Sequence, residues 1–194
     1  MTIRKSVMLT EALRACSVKN GEGEATTIGA LVEGTPALLL FVRHFGCIGC
    51  SENIGRVAPR FDELHELGVR ILIIGCGQPL FIRGFMERHN LLFSPAETYS
   101  DDSLASHKAA GLMYTLWGGL GPRGLVEMAR AFVNGHTSAG TQGDIKQQAG
   151  AIFVDAEGIV QLYHQSQSLG DHVNGQRILD AALASWLAAN PEME

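Results

Sequence analysis

Two cysteines separated by two residues are the part of this sequence best suited to chemistry. Cys47 and Cys50 lie in the stretch FVRHFGCIGC, directly after an apolar run and directly before residues with helical spacing. Such a pair can cycle between a dithiol and a disulfide, because one thiolate attacks a substrate and the other thiol resolves the product. One helical turn at this spacing brings both sulfurs within bonding distance. The pair therefore predicts redox chemistry.

Two other roles for these cysteines stay open at this point. HFGCIGC also reads as H-x-x-C-x-x-C, which could supply metal ligands from His44, Cys47 and Cys50, although no second ligand pair follows at finger-like spacing. The cysteines could also be two small, inert residues of the core. A Cys-x-x-Cys pair between a buried strand and a helix is typical of dithiol enzymes, so redox chemistry is the preferred interpretation and no metal site is predicted.

The elements around the pair are expected to activate one of the two sulfurs. The apolar run ALLLFVR (37–43) predicts a strand buried on both faces, so that Cys47 follows the strand and Cys50 lies in the first turn of the next helix. Free N–H groups at a helix start carry partial positive charge and lower the pKa of a nearby thiol. Arg43 and His44 would add positive charge, and we predict that Arg43 stabilises the thiolate or a leaving oxygen.

The remaining pattern predicts one α/β domain over residues 1–194, with a central mixed sheet. Residues 51–67 have helical spacing that Pro59 should kink or split, and VRILIIG (69–75) is a second buried strand. Parallel βαβ units followed by an antiparallel hairpin place helices on both faces of a mixed sheet. The further expected elements are a helix over 79–90, a short strand in PAETYSD, a helix over 103–111, a hairpin over 151–164 and a helix over 176–189.

Residues 111–150 form a long, Gly-rich connection that contains one short amphipathic helix. Connections of this length are often lids over a site, and a mobile surface insertion is the alternative. Trp117 could offer an apolar wall to a lipid-like substrate, and together with His44 and Phe45 it completes the predicted substrate contacts. Cys76 ends the second strand and is expected near the pair, because sites in open sheets gather at the carboxyl ends of strands.

Composition limits the classes of partner. The chain has 194 residues, 46% of them hydrophobic, a net charge of −5 and no run of Lys or Arg, which argues against nucleic acid or an acidic membrane surface as a partner. Charged residues interrupt the N-terminus, unlike a signal peptide, and no segment approaches the roughly 20 apolar residues of a membrane span. We therefore expect a cytoplasmic protein with reduced cysteines.

At this point the motifs can be compared with a known family. The sequence resembles the peroxiredoxin-like proteins of the alkyl hydroperoxide reductase/thiol-specific antioxidant superfamily, and within it the group that contains prostamide/prostaglandin F synthase. The likeness spans roughly residues 25–187 and includes the late segment AGAIFVDAEGIVQLYHQSQSLGDH. It implies a thioredoxin-like fold and, for some members, thiol-dependent reduction of a peroxide or endoperoxide. The shared pattern F-x-R-x-x-G-C-x-x-C is matched by Phe41, Arg43, Gly46, Cys47 and Cys50.

The sequence departs from the ordinary peroxiredoxin pattern P-x-x-x-T-x-x-C. If Cys50 is aligned with the family's nucleophile, Arg43 takes the place of the Pro and Cys47 that of the Thr. Those enzymes also place an Arg just before the late strand, where residues 147–150 read QQAG. Peroxiredoxin logic names Cys50 as the attacking thiol and thioredoxin logic names Cys47. We prefer Cys47, because it lies nearer the exposed tip of the helix.

The predicted function is that of a thiol-disulfide oxidoreductase that reduces a peroxide or endoperoxide through Cys47 and Cys50. Electrons would come from thioredoxin or another thiol donor, and no bound cofactor is expected because no G-x-G-x-x-G fingerprint opens a βα turn. The alternative is a redox sensor or interaction protein of the same fold, without turnover, whose disulfide switches the 111–150 segment. The apolar helix ends leave room for a homodimer.

Overall fold

A mixed sheet forms the centre of the protein, as seen in a computed structural model that describes residues 7–115, 122–136, 138–140 and 142–193. Its strands are β1 (Ser17–Lys19), β2 (Ala25–Thr27), β3 (Ala37–His44), β4 (Arg70–Cys76), β5 (Ala96–Ser100), β6 (Gly150–Val154) and β7 (Val160–Gln165). In the described part of the chain the sheet has seven strands in the order β2-β1-β5-β4-β3-β6-β7. Strands β3, β4 and β5 run parallel, and the other pairings are antiparallel.

Helices cover both faces of this sheet, which confirms the predicted architecture. Among the described residues, no helix is both long and apolar enough to cross a membrane. Short 3-10 turns cover Ala58–Arg60 and Pro191–Met193. The α-helices are α1 (Glu11–Arg14), α2 (Ile28–Leu31), α3 (Ile48–Val57), α4 (Phe61–Glu66), α5 (Phe81–Arg88), α6 (Ala105–Ala109), α7 (Pro122–Val133) and α8 (Gly175–Ala189).

Strand β3 runs through the middle of the core, and all of its residues are buried. Because successive side chains of a strand point to opposite faces, Leu38 and Leu40 pack with helices α3, α4, α5 and α8. Leu39 and Phe41 pack on the other face, with α1 and α2. Burial on both faces confirms the prediction made from the apolar run, and it gives the end of β3 a rigid surrounding.

Proline splits the helix that follows β3, as predicted. Helix α3 ends at Val57, the 3-10 turn contains Pro59, and α4 begins at Phe61. Proline has no N–H to donate and crowds the preceding turn, so the regular helix cannot continue through it. The helix begins at Ile48, earlier than its apolar spacing predicted, and Cys47 is its N-cap residue. The start of α3 therefore lies directly against the end of β3.

The two ends of the connection between α6 and β6 pair with each other. Tyr114 and Gln147 form an antiparallel bridge, and helix α7 packs on α3. After α7, the chain passes over the carboxyl ends of β3 and β4, where Ala139 donates a hydrogen bond to the carbonyl of Gly46. This part of the predicted insertion or lid therefore lies against the cysteine pair. Trp117 falls outside the described residues.

Candidate active site

The two cysteines lie where β3 ends and α3 begins. The N–H of Cys47 donates to the carbonyl of His44 at 3.1 Å, which closes the turn between the two elements. The N–H of Arg43 donates to the sulfur of Cys50 at 3.1 Å. Both cysteines are free thiols, and their exposed fractions are 7% for Cys47 and 1% for Cys50. The strand and the helix thus hold both sulfurs at one point, with Cys47 on the outer side.

Hydrogen bonding between the two cysteines separates their acidities. The side chain of Cys50 donates to the Cys47 sulfur, and this bond lowers the pKa of Cys47 well below its ordinary value, against the opposing effect of burial. The charge of Arg43 and the N–H of Cys50 lower it further. Burial and the same hydrogen bond raise the pKa of Cys50. These opposite directions favour the thiolate form of Cys47 and the protonated form of Cys50.

The guanidinium of Arg43 is buried among neutral oxygen atoms. Its Nε and Nη2 donate to Oε1 of Gln148 at 3.1 and 2.6 Å. Nη2 also donates to the carbonyl of Ser168 at 2.7 Å, and Nη1 to that of Leu169 at 3.5 Å. Within the described ranges no carboxylate forms an ion pair with Arg43, which is only 3% exposed. A buried cation needs a compensating charge, and the Cys47 thiolate can supply it.

Helix α7 supports the carbonyls that accept from Arg43. The carboxylate of Glu127 accepts from the hydroxyl of Ser168 at 3.0 Å and from the N–H of Gly170 at 2.8 Å. Both bonds hold the turn that follows β7, whose carbonyls face the guanidinium. The position of Arg43 therefore depends on three separated parts of the chain, namely β3, the residue before β6 and the turn after β7.

A second buried charge, that of Glu52, lies in α3 shortly after Cys50. The carboxylate of Glu52 accepts from Arg56 at 2.7 Å, from Arg130 at 3.2 Å and from His172 at 3.1 Å. We call these four residues the Glu52 cluster. Burial acts to raise the pKa of Glu52, but the hydrogen bonds from His172 and the two arginines outweigh it and lower that pKa. The cluster joins α3, α7 and the segment before α8.

Residues 138–144, without residue 141, which is not described, form a covering segment over the end of β3. The hydroxyl of Ser138 and the N–H of Ala139 both donate to the carbonyl of Gly46, at 2.9 and 3.1 Å. A Cβ at Gly46 would collide with the carbonyl of Gly140. Glycine at this position of the motif therefore lets the covering segment approach the turn next to Cys47.

The covering segment also contacts His44 and Cys76. Nδ1 of His44 accepts from the N–H of Gln142 at 3.4 Å, so this nitrogen has no proton. The thiol of Cys76 donates to the carbonyl of Arg43 at 2.6 Å and accepts from the N–H of Asp144 at 3.2 Å. Burial raises the pKa of Cys76 to about 11, so it stays protonated. Cys76 thus lies near the pair, as predicted, and holds the covering segment in place.

Comparison with known proteins agrees with this fold. The family model described as AhpC/TSA antioxidant enzyme matches residues 56–168, which is more than half of the chain. The chain belongs to the AhpC/TSA antioxidant enzyme family. The match begins after Cys47 and Cys50, so the interpretation of those two residues depends on the geometry given above.

Relatives of this AhpC/TSA protein come from animals and plants. Prostamide/prostaglandin F synthase of Xenopus tropicalis is 30% identical over 166 residues, which cover 80% of this chain and 79% of the relative. Peroxiredoxin-like 2C of Takifugu rubripes is 26% identical, with 84% and 76% covered. A chloroplastic thioredoxin-like protein of Arabidopsis thaliana is 22% identical, with 95% and 84% covered. The predicted resemblance is confirmed, and the protein is a thiol-dependent oxidoreductase of the peroxiredoxin-like type.

Solved structures confirm the predicted thioredoxin-like fold. Reduced Prx3 of Vibrio vulnificus superposes with a TM-score of 0.64 at 18% identity and covers 94% of this chain and 99% of its own. Peroxiredoxin 6 of Arenicola marina gives a TM-score of 0.68 at 12% identity, with 94% and 75% covered. At such identities the likeness concerns the fold alone.

The predicted substrate contacts of this AhpC/TSA protein differ in their placement. His44 lies beside the pair and is 7% exposed. The ring of Phe45 lies in the core, 1% exposed, with its centre 5.4 Å from that of Phe85, and its carbonyl accepts from Arg88 at 2.8 Å. Trp117 lies outside the described residues. Contact of these three side chains with a substrate stays a prediction.

The alternative interpretation, a metal site, can be compared with the placement of the possible donor atoms. Among the residues that the structure describes, no group of three or more His, Cys, Asp or Glu side chains is arranged to hold a metal ion. Nδ1 of His44 is directed at the N–H groups of Gly46 and Gln142, at 3.3 and 3.4 Å. The sulfur of Cys50 instead accepts from the backbone N–H of Arg43, and both cysteines are free.

Sequence reasoning did not identify the residues that hold Arg43. Gln148 lies just before β6, and Ser168 and Leu169 follow β7 and contribute only their carbonyls. A backbone acceptor leaves no signal in a sequence. Gln148 did stand out, because it occupies a stretch where ordinary peroxiredoxins place an Arg, but its contact with Arg43 could not be foreseen from that.

Proposed function

We propose that the protein reduces a peroxide or endoperoxide through Cys47 and Cys50, with Cys47 as the attacking thiolate. The observation that supports this assignment is the place of Cys47 at the N-cap of α3, on the more exposed side of the pair, where its interaction with Cys50 lowers the pKa of Cys47 and raises that of Cys50. The thiolate is the reactive form of cysteine, and a neighbouring protonated thiol is suited to the resolving step.

The proposed reaction transfers two electrons from the cysteine pair to the O–O bond. The Cys47 thiolate attacks one oxygen, an S–O bond forms, the O–O bond breaks, and the leaving oxygen takes up a proton from solvent. Cys50 then attacks the Cys47 sulfur, the S–O bond breaks, and the second oxygen leaves with the proton of the Cys50 thiol. The products are a Cys47–Cys50 disulfide and two hydroxyl groups. With an endoperoxide both hydroxyl groups stay on one molecule.

Arg43 is proposed to stabilise negative charge during this attack. Nη1 of Arg43 carries a second N–H that has no hydrogen-bond partner within the described part of the chain. A buried donor of this kind, held in place before the reaction, stabilises a developing oxyanion more than the same donor would in water. The same charge favours the Cys47 thiolate before the substrate binds.

Access to Cys47 requires movement of the covering segment. With only 7% of Cys47 exposed, neither a bulky peroxide nor a protein thiol can reach its sulfur in this arrangement. Residues 138–144 are held by hydrogen bonds to Gly46, His44 and Cys76, with no ion pair among the described residues of the segment. We therefore propose that this part of the 111–150 segment is a lid, and that Trp117 and Phe45 adjoin the substrate when it opens.

Turnover requires an external reductant, because each cycle leaves the pair oxidised. A dithiol protein such as thioredoxin can attack the Cys47–Cys50 disulfide and restore both thiols, so it is the proposed donor. Such donors keep cytosolic thiols reduced, and the free state of all four cysteines fits the proposed cytoplasmic location. The proposed unit is a single domain that acts alone or as a homodimer.

Cysteine variants test the assignment directly. Reduced Cys47→Ser and Cys50→Ser proteins are mixed with hydrogen peroxide, an organic hydroperoxide or an endoperoxide, and sulfenic acid is trapped with dimedone and located by mass spectrometry. We expect Cys50→Ser to react once and to carry the trap on Cys47, and we expect Cys47→Ser to be inert. Cys16→Ser is the matched control, since the Cys16 thiol bonds to the carbonyl of Ala12.

Two outcomes contradict the proposal. Retained reactivity in Cys47→Ser together with loss in Cys50→Ser would make Cys50 the attacking thiol. If the unchanged protein, supplied with a thioredoxin system, consumes none of the three oxidants, it is not a peroxide reductase.

A further inference from the structure

The side chain that holds the guanidinium of Arg43 is the amide of Gln148. Oε1 of Gln148 accepts from both Nε and Nη2 of Arg43, at 3.1 and 2.6 Å. Nε2 of Gln148 donates to the carbonyls of Thr115 and Lys146, at 2.9 and 3.2 Å, so the oxygen of the amide must face the guanidinium. Gln148 is 0% exposed, and both of its contacts with Arg43 are buried.

The sheet brings these two distant residues together. Strands β3 and β6 are antiparallel, and their ladder ends with Phe41 opposite Gly150. The same register continued by two residues places Gln148 level with Arg43, at the end of the sheet where the cysteine pair lies. The contact therefore follows from the register of two central strands and is not an accident of a surface side chain.

The absence of charge on Gln148 has a chemical consequence. A carboxylate with the same two contacts would form an ion pair with the guanidinium and compensate its charge. An amide oxygen fixes the same geometry and leaves the charge in place. The carbonyls of Ser168 and Leu169 are neutral as well, so every described acceptor on Arg43 orients it without compensating it.

We propose that Gln148 is a positioning residue, whose neutral amide fixes the guanidinium of Arg43 beside the cysteine pair and leaves its charge to the Cys47 thiolate. This inference rests on the proposed function. Gln148 acts through Arg43 and touches neither sulfur. The other groups that act on the Cys47 sulfur are His44 and Cys50, whereas the described hydrogen bonds of the Gln148 side chain go to Arg43, Thr115 and Lys146.

The test compares two variants of Gln148 with one of its neighbour. Gln148→Glu keeps the shape and adds a negative charge, and Gln148→Leu removes the amide without adding charge. Gln147→Leu is the matched control, since Gln147 is also buried and its Nε2 donates to the carbonyls of Met113 and Gln148. The measurement is the rate of iodoacetamide alkylation at Cys47 as a function of pH, read by peptide mass spectrometry, with circular dichroism to confirm folding.

We expect Gln148→Glu to move the midpoint of the alkylation profile to higher pH, because its carboxylate competes with the thiolate for Arg43. Well below the midpoint of the unchanged protein, the rate should fall about tenfold, which corresponds to one pH unit. Gln148→Leu should lower the rate by about threefold, since the guanidinium loses its orientation but keeps its charge. Gln147→Leu should leave the midpoint in place.

Three results would overturn the positioning role. The first is an unchanged midpoint in a folded Gln148→Glu protein, and the second is a midpoint moved equally by Gln147→Leu. If Gln148→Glu does not fold, the third is an unchanged alkylation midpoint in Gln148→Leu. Arg43→Met separates this failure from that of the proposed function. If Arg43→Met moves the midpoint upward while the Gln148 variants do not, only the role of Gln148 is lost.

Discussion

Two buried charges lie on either side of the start of α3, and the protein treats them in opposite ways. Glu52 is surrounded by Arg56, Arg130 and His172, all of which donate to its carboxylate. Arg43 is surrounded by neutral oxygens. Removing an ion from water is costly unless another charge compensates it. In the Glu52 cluster the carboxylate and the two arginines compensate one another, so the cluster serves the structure. Arg43 has a charge that only the reacting sulfur compensates among the described residues.

The difference shows how one short helix serves both structure and chemistry. The Glu52 cluster joins α3 to α7 and to the segment before α8, and it thereby fixes the direction of the helix that bears Cys50. A site that must hold a thiolate in a buried place needs such a frame, because small displacements weaken electrostatic stabilisation. We infer that the compensated charge of Glu52 belongs to the structural frame around the cysteines. The uncompensated charge of Arg43 belongs to the reacting site.

The largest expected effect comes from removing the uncompensated charge. In Arg43→Met, the Cys47 thiolate and the leaving oxygen both lose their buried cation. The rate of peroxide reduction by the reduced protein at neutral pH should fall about 100-fold, equal to about 2.7 kcal/mol of barrier. Stopped-flow mixing with hydrogen peroxide measures it. Arg56→Met is the control, because it removes an equal charge from the Glu52 cluster, where the side chain is 52% exposed.

Equal losses in Arg43→Met and Arg56→Met would break the comparison. Such a result would mean that the summed positive field around α3, and not one oriented guanidinium, activates the cysteine. We expect Arg56→Met to change the rate by less than about threefold, since a half-exposed charge is largely screened by water.

The next effect concerns the compensated charge and falls on stability. Glu52→Gln leaves Arg130 and His172 without their acceptor charge in a buried place, and the free energy of unfolding should fall by about 2 kcal/mol. Urea unfolding measures this loss, and Glu63→Gln is the control, because its ion pair with Arg60 lies at the surface. The alkylation midpoint of Cys47 should stay where it is. A large upward movement of that midpoint would place Glu52 in the site.

The same variant tests the sign of the pH dependence. The pKa of Glu52 is lowered from its ordinary value of 4.5 in the folded protein, so its stabilisation is complete above that value and is lost as the pH falls through the lowered folded pKa. His172, which burial keeps neutral, loses stability earlier, as the unfolded chain takes up protons below about pH 6.5. In Glu52→Gln, the part of the fall in the free energy of unfolding that occurs below the ordinary pKa of Glu52 should therefore be absent. Parallel curves for both proteins below the ordinary value would contradict the assignment.

Local patterns in the sequence were enough to predict the frame of the site. The apolar run 37–43 and Pro59 inside a helical pattern act through neighbours in the chain, and β3 and the split helix lie where they were predicted. Helix starts shifted by a few residues, because the N-cap Cys47 has no capping hydrogen bond to mark it.

The surroundings of Arg43 could not be predicted in the same way. Its principal partner, Gln148, lies 105 residues further along the chain, and their contact depends on the register of β6 against β3. Without that register, the sequence predicted a role for Arg43 at the thiolate but none of the partners that hold its guanidinium. The packing of the Phe45 ring on Phe85 shows the same limit, because it depends on a contact between two distant parts of the chain.

The smallest expected effect separates the two halves of the 111–150 segment. Helix α7 is attached to the Glu52 cluster by the charged contact of Arg130, whereas the covering segment 138–144 is attached to the cysteine site by hydrogen bonds to Gly46 and Cys76. Oxidation of the pair removes the Cys47 thiolate and should loosen only the covering segment. Limited proteolysis of the oxidised protein should then cut within 134–144 about threefold faster than in the reduced protein, with cutting within 122–133 unchanged. In Arg130→Gln, cutting within 122–133 should rise equally in both redox forms.

Two outcomes would contradict this prediction. Identical cleavage of both redox forms throughout the chain would remove the redox switch as an alternative role. Faster cutting within α7 on oxidation would show that changes at the cysteine pair reach the Glu52 cluster.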